Sequence, residues 1–386
     1  MSTLITGIGE LTTNTEEEGQ LRDAAVLLDG QRIAWVGPAT AAPAADERVD
    51  VGGRAVLPGW VDSHTHLVFA GDRTAEFEAR MAGRPYRAGG IATTVAATRA
   101  ASDEQLSANL ARHIAEARRQ GSTCIETKTG YGLSVADELR SARLAAAAAD
   151  EVTFLGAHLV PSGMTADHYV DLVCGAMLDA VAPYVRWADV FCETGAFDEA
   201  QTDRVLRAAD ARGLGLRVHG NQLGPGPGVQ LAVKHGAASV DHCTYLTDAD
   251  IEALAASDTV ATVLPACDLS TRQRLAPARA LLDAGATVAL ATNANPGSSY
   301  TTSMAFCVAT AVLQMGLSVA EAVYAATAGG ARALRRDDVG VVRVGARADL
   351  QVLDAPSVTH LAYRPGVPLT FAVWRLGRAV VLPVRD

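Results

Sequence analysis

The sequence predicts a TIM-like (β/α)8 barrel carrying a small β-sandwich domain assembled from both chain ends. Three observations predict it. Short β-branched runs alternate with Ala- and Leu-rich stretches of helical period through the middle of the chain. Both ends read instead as strands and turns, and residues with metal or proton chemistry gather at the ends of the central runs. At 386 residues the chain is too long for one small core and suits a barrel with an accessory layer.

At the N-terminal end, AAVLLDG, QRIAWVG and RVDVGGRAVLPG place apolar runs between Gly and Asp-Gly turns. VGVVRVGARADLQVLDA and LTFAVWRLGRAVVLP do the same near the C-terminus. Neither end is long enough to make a stable sheet alone. The expected division is one β-domain from residues 1–55 plus 342–386, flanking a barrel of residues 56–341.

The barrel strands are expected at 55–66, 123–130, 152–160 and 187–193, then at 214–222, 237–245, 259–266 and 287–297. Stretches such as ADELRSARLAAAAAD and EAQTDRVLRAADARG between them have helical spacing. Strands apolar on both faces, each followed by a helix, favour a closed parallel barrel.

Barrel chemistry sits where strands end. His64 and His66 end the first expected strand, Lys128 the second, His158 the third and Glu193 the fourth. His219, His242 and Asn293 end the fifth, sixth and eighth. Five of the nine histidines therefore fall on one rim, while His113, His168, His235 and His360 fall in helical or terminal segments and read as surface residues. On a strand, residues two apart share a face, so His64 and His66 can reach one metal ion. An HxH pair alone is equally explained by two satisfied core histidines. Its placement after PGWVD on the first barrel strand favours metal, and His219 supplies a third nitrogen with room left for water. His242 reads as a fourth ligand, a packed core residue, or a ring close enough to the metal to polarise a carbonyl or shuttle a proton; the last is favoured. Glu193 stands where a carbamylated bridging lysine would, which argues for one metal.

Composition narrows the partners. With 33 Lys and Arg against 43 Asp and Glu, the net charge of −10 leaves no basic surplus for nucleic acid or anionic lipid. A small-molecule substrate is the expected partner. The N-terminus shows no basic and apolar leader, and the uncharged stretch from Ala294 to Ala320 is broken by Pro296, Gly297 and a Ser/Thr run, so a buried loop and helix are expected and no membrane partner. The six cysteines are scattered and read as buried thiols of a cytoplasmic protein.

These residues resemble the amidohydrolase superfamily and, within it, the imidazolonepropionase family. The resemblance runs nearly end to end. It is carried by DSHTHLVFAGDRTAEFEARMAGRPY, ETKTGYGL, LGAHLVP, VFCETGAF, HGNQL, DHCTYL and NPGSS, in that order. It implies one zinc or iron ion held by His64, His66, His219 and Asn293, with bound water made acidic enough to act near neutral pH. It also implies opening of the ring of imidazolone-5-propionate to N-formimino-glutamate, as in histidine degradation. In that reading His242 steadies the developing oxyanion, and Arg73 and Tyr131 hold the propionate or the ring. His158 and Gln222 bind ring nitrogens, while Asn295, Gly297 and Ser298 offer donors to the carboxylate. A homodimer is implied as well.

The sequence departs from the family at Asn293, where the family pattern has an aspartate that is both ligand and proton acceptor. An amide is a poor ligand and cannot take a proton at neutral pH. Loss of a general base costs on the order of 10²–10⁴ in rate. Three explanations stand: an engineered change, a natural paralogue that binds or converts a related heterocycle, or a takeover by another base such as His242. If the loss is real, Asn293→Asp is expected to raise ring opening by about two orders of magnitude. Gly220, Tyr245, Gln222 and the LPACDLS segment are further departures, and a non-enzymatic binder is the opposing class.

Overall fold

The computed structural model describes residues 2–15, 19–84 and 90–382. Among the described residues fifteen strands form two sheets. The first contains β1 (Ser2–Thr12), β2 (Gln20–Asp29), β3 (Arg32–Pro38), β4 (Glu47–Pro58), β13 (Leu350–Leu353), β14 (Thr370–Arg375) and β15 (Arg378–Val381), in the order β15-β14-β13-β4-β1-β2-β3. Both chain ends build it, and Ile5, Ile8, Val26, Val56, Leu350 and Trp374 share its separate apolar core. β1 is an inner strand of this sheet, parallel to β4 and antiparallel to β2. Its alternation is hidden in the sequence by Gly7 and Gly9, around which the register shifts. Gly7 has φ 67°, and a Cβ there would meet Asp50 Oδ1 at 2.0 Å.

The second sheet runs in strict chain order: β5 (Trp60–Asp62), β6 (Ser122–Lys128), β7 (Glu151–Ala157), β8 (Trp187–Cys192), β9 (Gly215–Gly220), β10 (Ser239–His242), β11 (Val260–Val263) and β12 (Val288–Leu290). Every pairing in it is parallel. The ring closes past the ends of β5 and β12, where Asn293 N–H donates to His64 O at 3.0 Å and His66 N–H to Ala294 O at 2.9 Å. Closure and chemistry therefore occupy the same rim. Helices return the chain between strands, and several are fixed by capping boxes at Ser102, Asp198, Thr247 and Ser318.

Two expectations change. The barrel interior is not uniformly apolar, since Glu126, Lys128, Asp189, Arg217 and Asp241 are all at most 1% exposed. His113 is not a surface residue: it is 2% exposed and shares the inner face of helix Asp103–Arg119 with Leu106, Leu110, Ile114 and Ala117. Its ring stacks on Phe69 at 5.1 Å and lies 3.2 Å from the Tyr300 hydroxyl. His168 is exposed, while His235 and His360 are half-buried. Five of the cysteines are buried and all six are free, as expected. Among the described residues no helix is long and apolar enough to cross a membrane, and the stretch after Ala294 holds a loop and helix Met304–Gln314.

Candidate active site

The last residues of β9 and β10, with the segments that follow β5 and β12, bring four imidazoles together. His64 and His66 extend from β5 on one face, as their spacing requires. His64 Nε2 lies 3.2 Å from His66 Nε2, and His219 Nε2 lies 3.4 Å from the same atom. Tetrahedral coordination at 2.0–2.1 Å sets ligand nitrogens about 3.3–3.4 Å apart, so both spacings about His66 are close to those of a small divalent cation's ligands. His242 joins them: ligand atoms of His64, His219 and His242 all lie within 4.8 Å of one another. Burial holds His64, His66 and His242 well below the usual histidine range, with neighbouring cations and imidazoles adding to the effect. Neutral rings with lone pairs turned inward fit a cation.

The orientation of two rings is fixed from below. Asp241 Oδ2 accepts from His64 Nδ1 at 2.7 Å, which leaves His64 Nε2 as the lone-pair atom. Asp189 Oδ2 stands 3.0 Å from His219 Nδ1, an ion-pair distance, although the contact is not aligned as a hydrogen bond. Burial would raise both carboxyls. His219 and Lys128 beside Asp189, and Arg217 and His64 beside Asp241, outweigh it and hold both well below the carboxylate range.

Above the imidazoles opens a narrow cleft. His66, His219, His242 and Asn293 face it from the metal side, and Arg73, Tyr131, His158, Gln222, Asn295 and Ser298 complete its wall with Ile91 and Phe191. His64 lies beneath at 0% exposure. The strand-end pattern thus gathers ten of the named residues around one space, apart from His64 below and Gly297 behind. Pro85 and Tyr86 of the MAGRPY segment lie outside the described residues.

Tyr131 is positioned by a loop tied to one buried carboxylate. Glu138 accepts from the backbone N–H groups of Gly130 at 3.1 Å, Gly132 at 2.7 Å and Leu133 at 2.8 Å. His158 Nδ1 donates to Gly130 O at 2.9 Å, so its Nε2 is the acceptor. Glu193 accepts from the N–H groups of Gln222 and Leu223, fixing the Gln222 backbone. Strand-end geometry forces unusual backbone here: His242 has φ 86° and Asn293 φ 51°, a region costly for residues with a Cβ.

The strand-8 loop differs from expectation. Gly297 N–H and Ser298 N–H both donate to Asn295 Oδ1, at 2.8 and 2.9 Å. Asn295 Nδ2 donates to Asn293 O at 2.6 Å and sits 3.1 Å from Asn293 Oδ1. The expected carboxylate donors are satisfied within the turn. Gly297 instead makes room, because a Cβ there would meet Arg73 Nη1 at 2.0 Å.

Burial of His158 gives a measurable consequence. Burial, with His219 next, lowers its pKa from 6.5 to about 4. Below pH 6.5 the unfolded chain takes up a proton that the folded chain refuses, so stability falls as pH drops from 6.5 toward 4, by about 3 kcal/mol for this group. Metal-free protein denatured at pH 7 and pH 5 is expected to be less stable at pH 5, with a smaller difference in His158→Asn. Equal differences in the two proteins would contradict this account of the ring.

The profile of the amidohydrolase family matches residues 55–377. The chain belongs to the amidohydrolase family. Within it the chain groups with the imidazolonepropionases. That of Saccharopolyspora erythraea is 74% identical over 380 residues, covering 97% of this chain and 98% of its own. That of Arthrobacter sp. is 66% identical over 396 residues, covering 98% and 99%. A triazine hydrolase variant of known structure is similar in fold, with a TM-score of 0.76 and 21% identity over 99% of this chain and 95% of that one. An adenosine deaminase from Xanthomonas campestris, with bound zinc, gives 0.75 at 20% identity over 98% and 93%.

In this amidohydrolase two of the sequence departures lie off the cleft. Tyr245 turns to Gln273 and lies under Arg274, 4.4 Å from ring to guanidinium. Gly220 packs on Gly228, whose own added Cβ would stand 2.8 Å from Gly220 Cα. Gln222 and Asn293 face the cleft. Cys267 of LPACDLS lies 3.7 Å from Gln222 Nε2. Of the layer of Glu126, Lys128, Asp189, Arg217 and Asp241, the sequence had placed only Lys128, at a strand end. The signal of the layer was a charged residue within four of the apolar runs, CIETK, WADVFC, LRVHG and SVDH.

Proposed function

We propose that the chain hydrolyses the ring of imidazolone-5-propionate to N-formimino-glutamate, using one divalent cation held by His64, His66 and His219, with Asn293 Oδ1 as its oxygen ligand. The observation that carries this is the convergence of three imidazoles, with the Nε2 atoms of His64 and His219 at 3.2 and 3.4 Å from that of His66, beside the cleft. The high identity to imidazolonepropionases supports the substrate. Zinc and iron are the ions that an imidazole-rich set with one oxygen ligand suits. Such an ion supplies Lewis acidity, bringing the pKa of water in its reach from 15.7 down to about 7.

The chain's own residues do the rest. Arg73 anchors the propionate carboxylate, and Tyr131 packs against the ring. His158 Nε2 accepts from a ring N–H, while the Gln222 amide meets the other ring polar atoms. His242 takes the proton from the water that adds to the ring carbonyl and, as imidazolium, faces the oxygen on which negative charge grows. It then returns the proton to the ring nitrogen as the acyl C–N bond breaks. Asn293 cannot share this work, since an amide takes no proton near neutral pH. Its Oδ1 accepts from Asn295 Nδ2, and its backbone N–H closes the ring onto His64 O.

Protein loaded with zinc or iron(II) is expected to convert imidazolone-5-propionate to N-formimino-glutamate mole for mole, with about one metal per chain. Chelation is expected to abolish turnover and metal to restore it. Tight binding of the compound with its return unchanged would replace the hydrolase by a binder.

A further inference from the structure

The charged layer under the imidazoles contains a second cation cage, and it is already filled. Asp189, His219 and Asp241 bring ligand atoms within 4.8 Å of one another, a grouping able to hold a metal ion. The Lys128 ammonium occupies it. Nζ lies 3.0 Å from Asp189 Oδ2, 3.7 Å from Asp241 Oδ2 and 2.9 Å from Glu126 Oε1, and all four side chains are 0% exposed. Asp241 Oδ1 is buried and accepts no hydrogen bond within the described residues. Three carboxylates face two cations, Lys128 and Arg217, which leaves one net negative charge under the imidazoles.

We propose that Lys128 is a built-in cation holding the place of a second metal ion, so that the barrel floor accepts one divalent ion and no more. The inference rests on reading the three-imidazole cradle as the metal site. An ammonium tethered to β6 cannot be chelated, and it offers donors to carboxylates without competing for imidazole lone pairs. Asp189 and Asp241 are thereby kept as partners of the His219 and His64 Nδ1 atoms, and Lys128 acts on the metal site as a positioning residue. Without the ammonium, two net negative charges would remain in a buried space with oxygen and imidazole ligands at hand. A divalent ion matches that charge and that ligand set.

The test is metal stoichiometry, read by titrating metal-free protein with zinc against a chromophoric chelator. Wild type is expected to bind one equivalent tightly; none would overturn the metal site and, with it, this proposal. Lys128→Ala is expected to bind two equivalents, and Lys128→Arg one. Should Lys128→Ala fail to fold, Glu126→Gln with Lys128→Ala keeps the charge balance of the layer and leaves Asp189, His219 and Asp241 in place. That variant too is expected to bind two, the second more weakly, because one net negative charge remains there in place of two. A folded protein of either kind that binds one equivalent, beside a wild type that binds one, overturns the proposal.

Discussion

Replacing His242 by glutamine is expected to lower kcat for ring opening by about a thousandfold, within the range that loss of a positioned acid-base group produces. The protein is expected to keep its metal. The argument is one of elimination among groups that face the cleft. Asn293 is an amide, and His158 commits its Nδ1 to Gly130 O. His64 and His219 turn their outer nitrogens to Asp241 and Asp189. His242 lines the cleft, its Nδ1 has no hydrogen bond among the described residues, and its backbone is held at φ 86°. A strained conformation kept at a strand end is consistent with a ring placed for chemistry. In the same assay Asn293→Asp is expected to change kcat by less than about tenfold, because the proton already has an acceptor. A hundredfold gain from Asn293→Asp would assign the proton to the aspartate of the family pattern and make the present residue a handicap. Loss of metal from His242→Gln would make His242 a ligand instead.

Arg73→Met is expected to raise KM by about a hundredfold, with a smaller change in kcat, because removal of one partner from a buried charge pair costs about 2–5 kcal/mol. The guanidinium is aimed by two neighbours. Glu76 accepts from Nε at 2.9 Å and from Nη2 at 2.6 Å, and the missing side chain of Gly297 leaves space for Nη1. A lysine has no planar fork to meet Glu76 and the substrate carboxylate together, so Arg73→Lys is expected to recover only part of the loss. Gly297→Ala is expected to raise KM as well, through displacement of Arg73 and not through a lost donor. An unchanged KM in Gly297→Ala, with Arg73→Met impaired, would return the loop to the donor role its sequence suggested.

The sequence alone determined the barrel, because eight short runs buried on both faces and separated by helical stretches have few other ways to cover themselves. It also located the rim, since two residues of separation on a strand put His64 and His66 on one side whatever lies opposite. His113 was legible too: its spacing from Leu110 and Ala117 marked the inner helix face, and the residue was read by type instead of by period. Only the tertiary structure decided which atoms meet. Lys128 reaches Asp189 and Asp241 from other strands, and Gly297 serves Arg73 from across the seam where the ring closes. Such pairings follow from strand register and barrel closure, which bring distant residues into contact by a geometry that no local stretch of sequence encodes.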